Sequence, residues 1–167
     1  MPSPDSHIHP IRKLVAADRD AVARIIQDVG NFNQAEIECA LELVDIYLNN
    51  PHQQDYNIVV AHSADGEVCG YACWGPAPLT RGTYDLYWIA THPRTQGRGV
   101  GRDLMLYVEN KVARERGRLL ILETSSKETY GKTVDFYRRL GYEEASRIRD
   151  FYDVGDDKLV FVKRLNT

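Results

Sequence analysis

The run Gln96-Gly97-Arg98-Gly99-Val100-Gly101-Arg102 places three glycines and two arginines within seven residues. Glycine lets a backbone turn tightly and lets a ligand approach amide N–H groups. A helix that starts at such a turn presents unpaired donors and a partial positive charge. With Arg98 and Arg102 alongside, this is chemistry for a phosphate or pyrophosphate. Two phosphate readings fail on the residues themselves. A Walker loop needs Lys then Ser or Thr after its last glycine, where this chain has Arg102-Asp103. The dinucleotide pattern G-x-G-x-x-G fails from Gly97, because residue 102 is Arg, and from Gly99, because residue 104 is Leu.

The elements around this loop can be read from hydrophobic period. Thr83–Thr91 reads as a strand rich in aromatic and β-branched residues, ended by Pro93. Val100–Arg116 reads as a helix with Leu104, Val108 and Val112 on one face. Leu119–Leu122 is a short apolar strand, expected to be buried on both faces. Thr129–Leu140 is a helix closed by Gly141. Upstream, a strand is expected over Ile8–Val15. A helix capped by Asp18 follows and ends at Gly30-Asn31, and a second helix runs over Asn33–Leu48. Strands Tyr56–Ala61 and Val68–Trp74 meet at an Asp65-Gly66 turn, and Arg147–Tyr152 and Leu159–Leu165 form a last pair. Strict alternation puts Tyr84 and Trp88 on one face of their strand and Asp85 and Tyr87 on the other. The order β-α-α-β-β-β-α-β-α-β-β, with a hairpin-rich first half and a βαβ centre, predicts a mixed sheet flanked by helices.

Composition fits one domain over residues 1–167, with 43% hydrophobic and 27% charged residues. Net charge is −3, yet the window Arg94–Arg118 carries +4 and the rest of the chain −7. A local positive field on an acidic chain suits a small polyanion and argues against a general nucleic-acid binder. No apolar run is long enough for a membrane helix, and the N-terminus lacks the apolar stretch of a secretory signal. Cys39, Cys69 and Cys73 make no disulfide framework, so a reduced, cytoplasmic setting is expected. Cys69 and Cys73 have no His or Cys partner at ligand spacing, so they read as thiols and no metal is expected. Cys73 as an acyl carrier lacks a positioned histidine.

The pattern Gln-x-x-Gly-x-Gly over Gln96–Gly101, after a strand ending in His92-Pro93, resembles motif A of the GNAT acetyltransferase superfamily. Phe136-Tyr137-Arg138-Arg139-Leu140-Gly141-Tyr142 is similar to the family's motif B, and the order of elements matches over nearly the whole chain. The resemblance implies an α+β fold in mixed αβα layers, with a mostly antiparallel sheet whose central strands splay into a cleft for acetyl-CoA. It places backbone contacts to the acetyl and pantetheine groups at Ile89, Ala90 and Thr91. The pyrophosphate loop falls on Gln96, Gly97, Arg98, Gly99, Val100, Gly101 and Arg102. Tyr137 takes the position of the tyrosine that protonates the leaving thiolate; a phenol near ~10 is protonated at neutral pH.

The implied reaction is direct attack of a primary amine on the thioester. An α-amine near ~7.8 needs little help to lose its proton, so one reading has no dedicated base; otherwise two residues compete for the role. Asp85 matches the site of the catalytic glutamate in the histone-acetyltransferase branch, and Glu123 matches the strand that carries it in ribosomal-protein alanine acetyltransferases. Either residue also has a structural reading, Asp85 as a partner of a neighbouring strand and Glu123 as a cap for the following helix. Two positions depart from the family: Tyr130 stands where many members have a pantetheine-binding asparagine, and Thr133 where they have alanine. The implied acceptor is a small amine or amino acid. Protein N-terminal or lysine acetylation and a non-catalytic CoA sensor are the alternatives. Exposed strand edges make a homodimer an expectation.

Overall fold

The computed structural model describes residues 9–165, so Ile8 and His7 lie outside the described residues. The chain forms β1 (Ile11–Lys13), α1 (Arg19–Asp28), α2 (Gln34–Asn49), β2 (Asn57–His62), β3 (Val68–Pro76) and β4 (Thr83–Thr91). Then come α3 (Val100–Arg114), β5 (Leu119–Ser125), α4 (Gly131–Arg139), β6 (Glu143–Asp153) and β7 (Asp156–Arg164). Short 3-10 turns lie at Ala16–Asp18, Pro93–Thr95 and Glu128–Tyr130. The strands make one mixed sheet in the order β1-β2-β3-β4-β5-β7-β6, antiparallel except for the central β4–β5 pair. This is the α+β arrangement read from the sequence.

Each face of the sheet has its own core. On one face α3 inserts Leu104, Val108 and Val112 against Leu120, Leu122, Leu159 and Phe161, and α4 adds Tyr137. On the other, Val22, Ile25 and Ile26 of α1 and Ala40 and Val44 of α2 meet Ile58, Val60, Tyr71 and Cys73. The helical spacing of those apolar residues is what turns each helix toward its core. Asn33 starts α2 as its side-chain oxygen accepts the Glu36 N–H at 2.8 Å. Asp18 behaves differently from expectation. It makes no side-chain cap on α1; its carboxylate accepts from Arg12 at 2.7 and 2.9 Å and from the Val15 N–H at 2.9 Å. The guanidinium holds Asp18 below the usual carboxylate range.

Two features of the central strands differ from the sequence reading. The first is a bulge. The β3–β4 register pairs Cys73 with Trp88 but Trp74 with Leu86, leaving Tyr87 as an extra residue. An extra residue reverses the alternation beyond it. Tyr84 therefore packs against the α3 core, whereas Trp88 packs against the α1–α2 core, and the two do not share a face. The second is β5, which runs to Ser125 and is not buried on both faces. Leu120, Leu122 and Thr124 are buried, while Ile121 is half-buried and Glu123 exposed. Glu123 thus lies within the strand and caps no helix.

The opened face follows from the pairing. β4 and β5 match at only three positions, Thr83–Leu119, Tyr84–Leu120 and Asp85–Ile121. Beyond them β4 stays with β3 up to Thr91, and β5 stays with β7 up to Ser125. The sheet splits into two arms joined at this hinge. Gly75, the β3 partner of Asp85, makes room there: a Cβ on it would lie 1.9 Å from the Asp55 carbonyl oxygen and 3.3 Å from the Tyr87 ring. Gly75→Ala is expected to cost about 1–3 kcal/mol by overpacking. The check is the urea midpoint, and an unchanged midpoint would show that the Asp55 segment yields freely.

Candidate active site

The glycine loop is built as the end of one arm and the start of α3. His92 ends the strand and its ring Nδ1 accepts the Arg94 N–H at 3.2 Å, while the Thr95 N–H donates to the His92 carbonyl at 2.9 Å. The Arg98 N–H donates to the Thr95 carbonyl at 3.2 Å. Gly97 and Gly99 have φ of 80° and 84°, and Gly99 is the N-cap of α3. Such positive φ angles are why the loop needs glycine. A Cβ on either would meet nothing within 4 Å, so this side of the loop is open. Among the described residues, the N–H groups of Gly97, Gly99, Val100, Gly101 and Arg102 have no acceptor. The Arg98 and Arg102 side chains are exposed beside them. These donors and charges fit a pyrophosphate. Just behind the loop, Asp103 is 2% exposed and accepts the His9 N–H at 3.0 Å, with the His9 ring nitrogen at 2.6 Å from the same oxygen.

The arms part below this loop. Ile89, Ala90 and Thr91 lie on the β4 stretch that has lost β5 as a partner, so the backbone edge they present to the cleft is unpaired by any strand. Tyr137 sits on the α3–α4 face. It is 4% exposed, with ring centroids of Phe136, Tyr142 and Phe161 at 5.3, 5.8 and 6.4 Å. Burial pushes its phenol above the ordinary value, so it stays protonated at neutral pH. Asp85 lies between Tyr84 and Leu86, which pack on the α3 core, so its side chain faces the α1–α2 side. Glu123 falls on that same side by the same parity. The two carboxylates and the Tyr137 ring therefore lie on opposite faces of the sheet.

The carboxylates are not equivalent. Lys158 Nζ is 2.9 Å from Glu123 Oε1 and 4.3 Å from the Phe151 ring centroid. Asp85 has no ion-pair partner among the described residues. Burial raises its pKa, and the Glu123 charge raises it further. Tyrosines surround them. Tyr87 is pushed up to about 12, by burial first and then by Asp85. Tyr56 packs on Tyr87 edge-on at 5.5 Å. Tyr152 is raised by burial and then by Glu123, Asp156 and Glu36. Tyr130 is pushed up to about 12, by burial and then by Glu36. Lys158, Glu36 and Tyr152 were missed as site residues in the sequence. Lys158 had one signal: the β5–β7 ladder places it two residues from Val160, the residue opposite Glu123, and so on the same face, but that register is not readable from either strand alone.

No group of three or more potential metal-ligating side chains occurs among the described residues, and none of their helices is long and apolar enough to cross a membrane. Residues 54–144 match the family model described as "Acetyltransferase (GNAT) domain". The chain belongs to the GNAT acetyltransferase family. It is 30% identical over 139 residues to the L-methionine sulfoximine/L-methionine sulfone acetyltransferase of Pseudomonas aeruginosa, covering 80% of this chain and 79% of that enzyme. It is 42% identical over 60 residues to the S-alkylcysteine N-acetyltransferase of Bacillus subtilis, a match spanning 35% of this chain and a third (33%) of that enzyme. Among solved structures, a Desulfovibrio desulfuricans protein assigned to the GNAT family superposes with a TM-score of 0.87 at 39% identity, covering 95% of this chain and 99% of that one.

If the loop holds the pyrophosphate, reversing one of its charges must weaken the donor. Arg98→Glu is expected to weaken CoA binding about tenfold, or ~1.4 kcal/mol. Calorimetry at low ionic strength reads this directly, and equal affinity would remove the loop from the donor site.

Proposed function

We propose that the protein acetylates the α-amine of a small amino acid, with acetyl-CoA as donor, by direct attack in a ternary complex. The observation that carries this reading is the parting of β4 and β5 beyond three residue pairs, below a loop whose amide donors are free, with Asp85 and Tyr137 on opposite faces of the sheet. Two enzymes to which the chain is similar are named for derivatives of cysteine and methionine, which supports an amino acid with a sulfur-bearing or apolar side chain.

Acetyl-CoA supplies a thioester, an acetyl group already activated toward amines. The chain's own groups do the rest. The free amides of Gly97 to Arg102 and the two guanidinium groups bind the pyrophosphate. The unpaired edge of β4 at Ile89, Ala90 and Thr91 offers strand-like hydrogen bonds to the amides of the extended pantetheine arm. Asp85 accepts the amine proton on the α1–α2 side, directly or through a water. Its raised pKa brings it nearer the operating pH, where a base works best. Glu123, held by Lys158, acts on Asp85 as a fixed negative charge. The tyrosines around it suit a cationic ammonium group before deprotonation.

Tyr137 faces the other side of the cleft and donates toward the leaving sulfur. A phenol near ~10 is a weaker acid than a thiol near ~8.5, a gap of about 2 kcal/mol, and burial widens it. Full proton transfer from a resting tyrosine is therefore uphill. Tyr137 stabilises the sulfur by a hydrogen bond as negative charge develops on it and keeps its own proton, and the released thiolate takes its proton from solvent.

Tyr137→Phe is expected to lower kcat by about 10²-fold or more with a far smaller change in acetyl-CoA binding, the loss ascribed to one positioned proton donor. Steady-state CoA release with L-methionine sulfone as acceptor measures this, and unchanged turnover would remove Tyr137 from the mechanism. The base has a separate signature. Activity is lost as pH falls and Asp85 takes up a proton. Glu123→Gln removes a charge that raises the Asp85 pKa, so the acid limb of the kcat profile must move to lower pH. A limb that stays in place would show that Asp85 does not set it.

A further inference from the structure

The two arms of the sheet diverge beyond the hinge, yet one short segment of chain touches both. The residues between α1 and α2, Asp28–Asn33, cross the α1–α2 side of the cleft. On the β4 arm, Phe32 packs edge-on against Trp88 with ring centroids 5.3 Å apart, and Asp28 Oδ2 lies 3.4 Å from His92 Nε2. On the β5 arm, the hydroxyl of Tyr130, in the 3-10 turn after that strand, donates to the Asn31 carbonyl at 2.7 Å. Both ends of the segment are fixed. The Val29 N–H donates to the Ile25 carbonyl at 3.0 Å, and Asn33 caps α2. Beneath it lie Glu36, whose carboxyl burial raises, and Asp156, 5% exposed and bonded to Ser125.

We infer that this segment roofs the acceptor side of the cleft and that Tyr130 is the specificity-determining residue that latches it, admitting a free amino acid and excluding a peptide. The inference rests on the acetyl-transfer reading above and narrows its acceptor. An amine that reaches Asp85 enters a compartment walled by the two arms and roofed by Asn31–Phe32. A free amino acid ends within that compartment. A polypeptide presenting the same α-amine must continue past it, through the place where Asn31 meets Tyr130. This also gives a use to the departure at position 130. The amide of an asparagine side chain ends well short of the point that the Tyr130 hydroxyl reaches, whereas a tyrosine spans the distance to the Asn31 carbonyl and adds a ring to the wall. The bond is to a backbone carbonyl, so the latch does not depend on the side chain at position 31.

The test compares L-methionine sulfone with a tripeptide carrying methionine sulfone at its N-terminus followed by two alanines. The readout is the ratio of their kcat/KM values, taken for each variant on the same protein sample, so partial unfolding cancels. The native protein is expected to prefer the free amino acid by about 100-fold or more, a difference of ~2.7 kcal/mol. Tyr130→Ala is expected to shrink that preference at least about tenfold, by lowering KM for the tripeptide. Tyr130→Phe keeps the ring and removes the bond to Asn31, and must shift the ratio in the same direction. A native protein that takes both acceptors equally, or a ratio that Tyr130→Ala leaves unchanged, overturns the latch while leaving acetyl transfer standing. Acetylation of neither acceptor, with acetyl-CoA binding intact, overturns the amino-acid reading itself and the inference with it.

Discussion

Three residue pairs hold the two halves of this protein's sheet together, and the candidate site exists because there are no more than three. β4 and β5 are parallel neighbours for Thr83–Asp85 and Leu119–Ile121 and then follow different partners. An unpaired strand edge inside a protein normally carries a desolvation cost for its N–H and C=O groups. Here that cost is met by leaving the edges in an open cleft, where water or an extended amide-bearing ligand can satisfy them. The loop and α3 follow from the β4 arm, and Glu123 and the turn with Tyr130 follow from the β5 arm. The hinge sets the distance between them.

The parting also separates the electrostatics of the two faces. The α3–α4 side presents cations and amide donors at its head and a neutral, buried phenol below. The α1–α2 side presents carboxylates, two of them interacting, with tyrosines around them. Alternation ahead of the bulge sets part of this division, since Tyr84 and Leu86 turn to the α3 core and Asp85 between them turns away from it. The bulge at Tyr87 then lets Trp88, rather than Tyr87, turn to the α1–α2 core. Tyr87 remains partly exposed beside Asp85 instead of being buried, and Gly75 gives its ring room.

Local chemistry was legible in the sequence, and long-range pairing was not. The glycine loop could be placed because its residues, strand and helix are contiguous. The faces of α1, α2 and α3 were readable for the same reason, since helical period is a property of one segment. The position of Tyr137 came from a motif, although its depth of burial depends on Phe161, which lies on another strand. What failed was the assumption of strict alternation along β4, because a bulge is a relation between two strands and leaves little mark on either. The burial expected for β5 failed similarly: four apolar residues in a row look the same whether the neighbouring strand stays or departs. The Lys158–Glu123 pair and the contact of Tyr130 with a residue 99 positions earlier belong to the same class.

The carboxylate of Asp103 sits inside the first turn of α3, where the partial positive charge of a helix terminus favours an acid. It is buried and accepts the His9 N–H, so the stretch of chain before β1 is fastened to the helix that begins at the glycine loop. Residues 94 positions apart thereby meet directly behind the loop, and α3 is anchored to the start of the sheet as well as to the arm it follows.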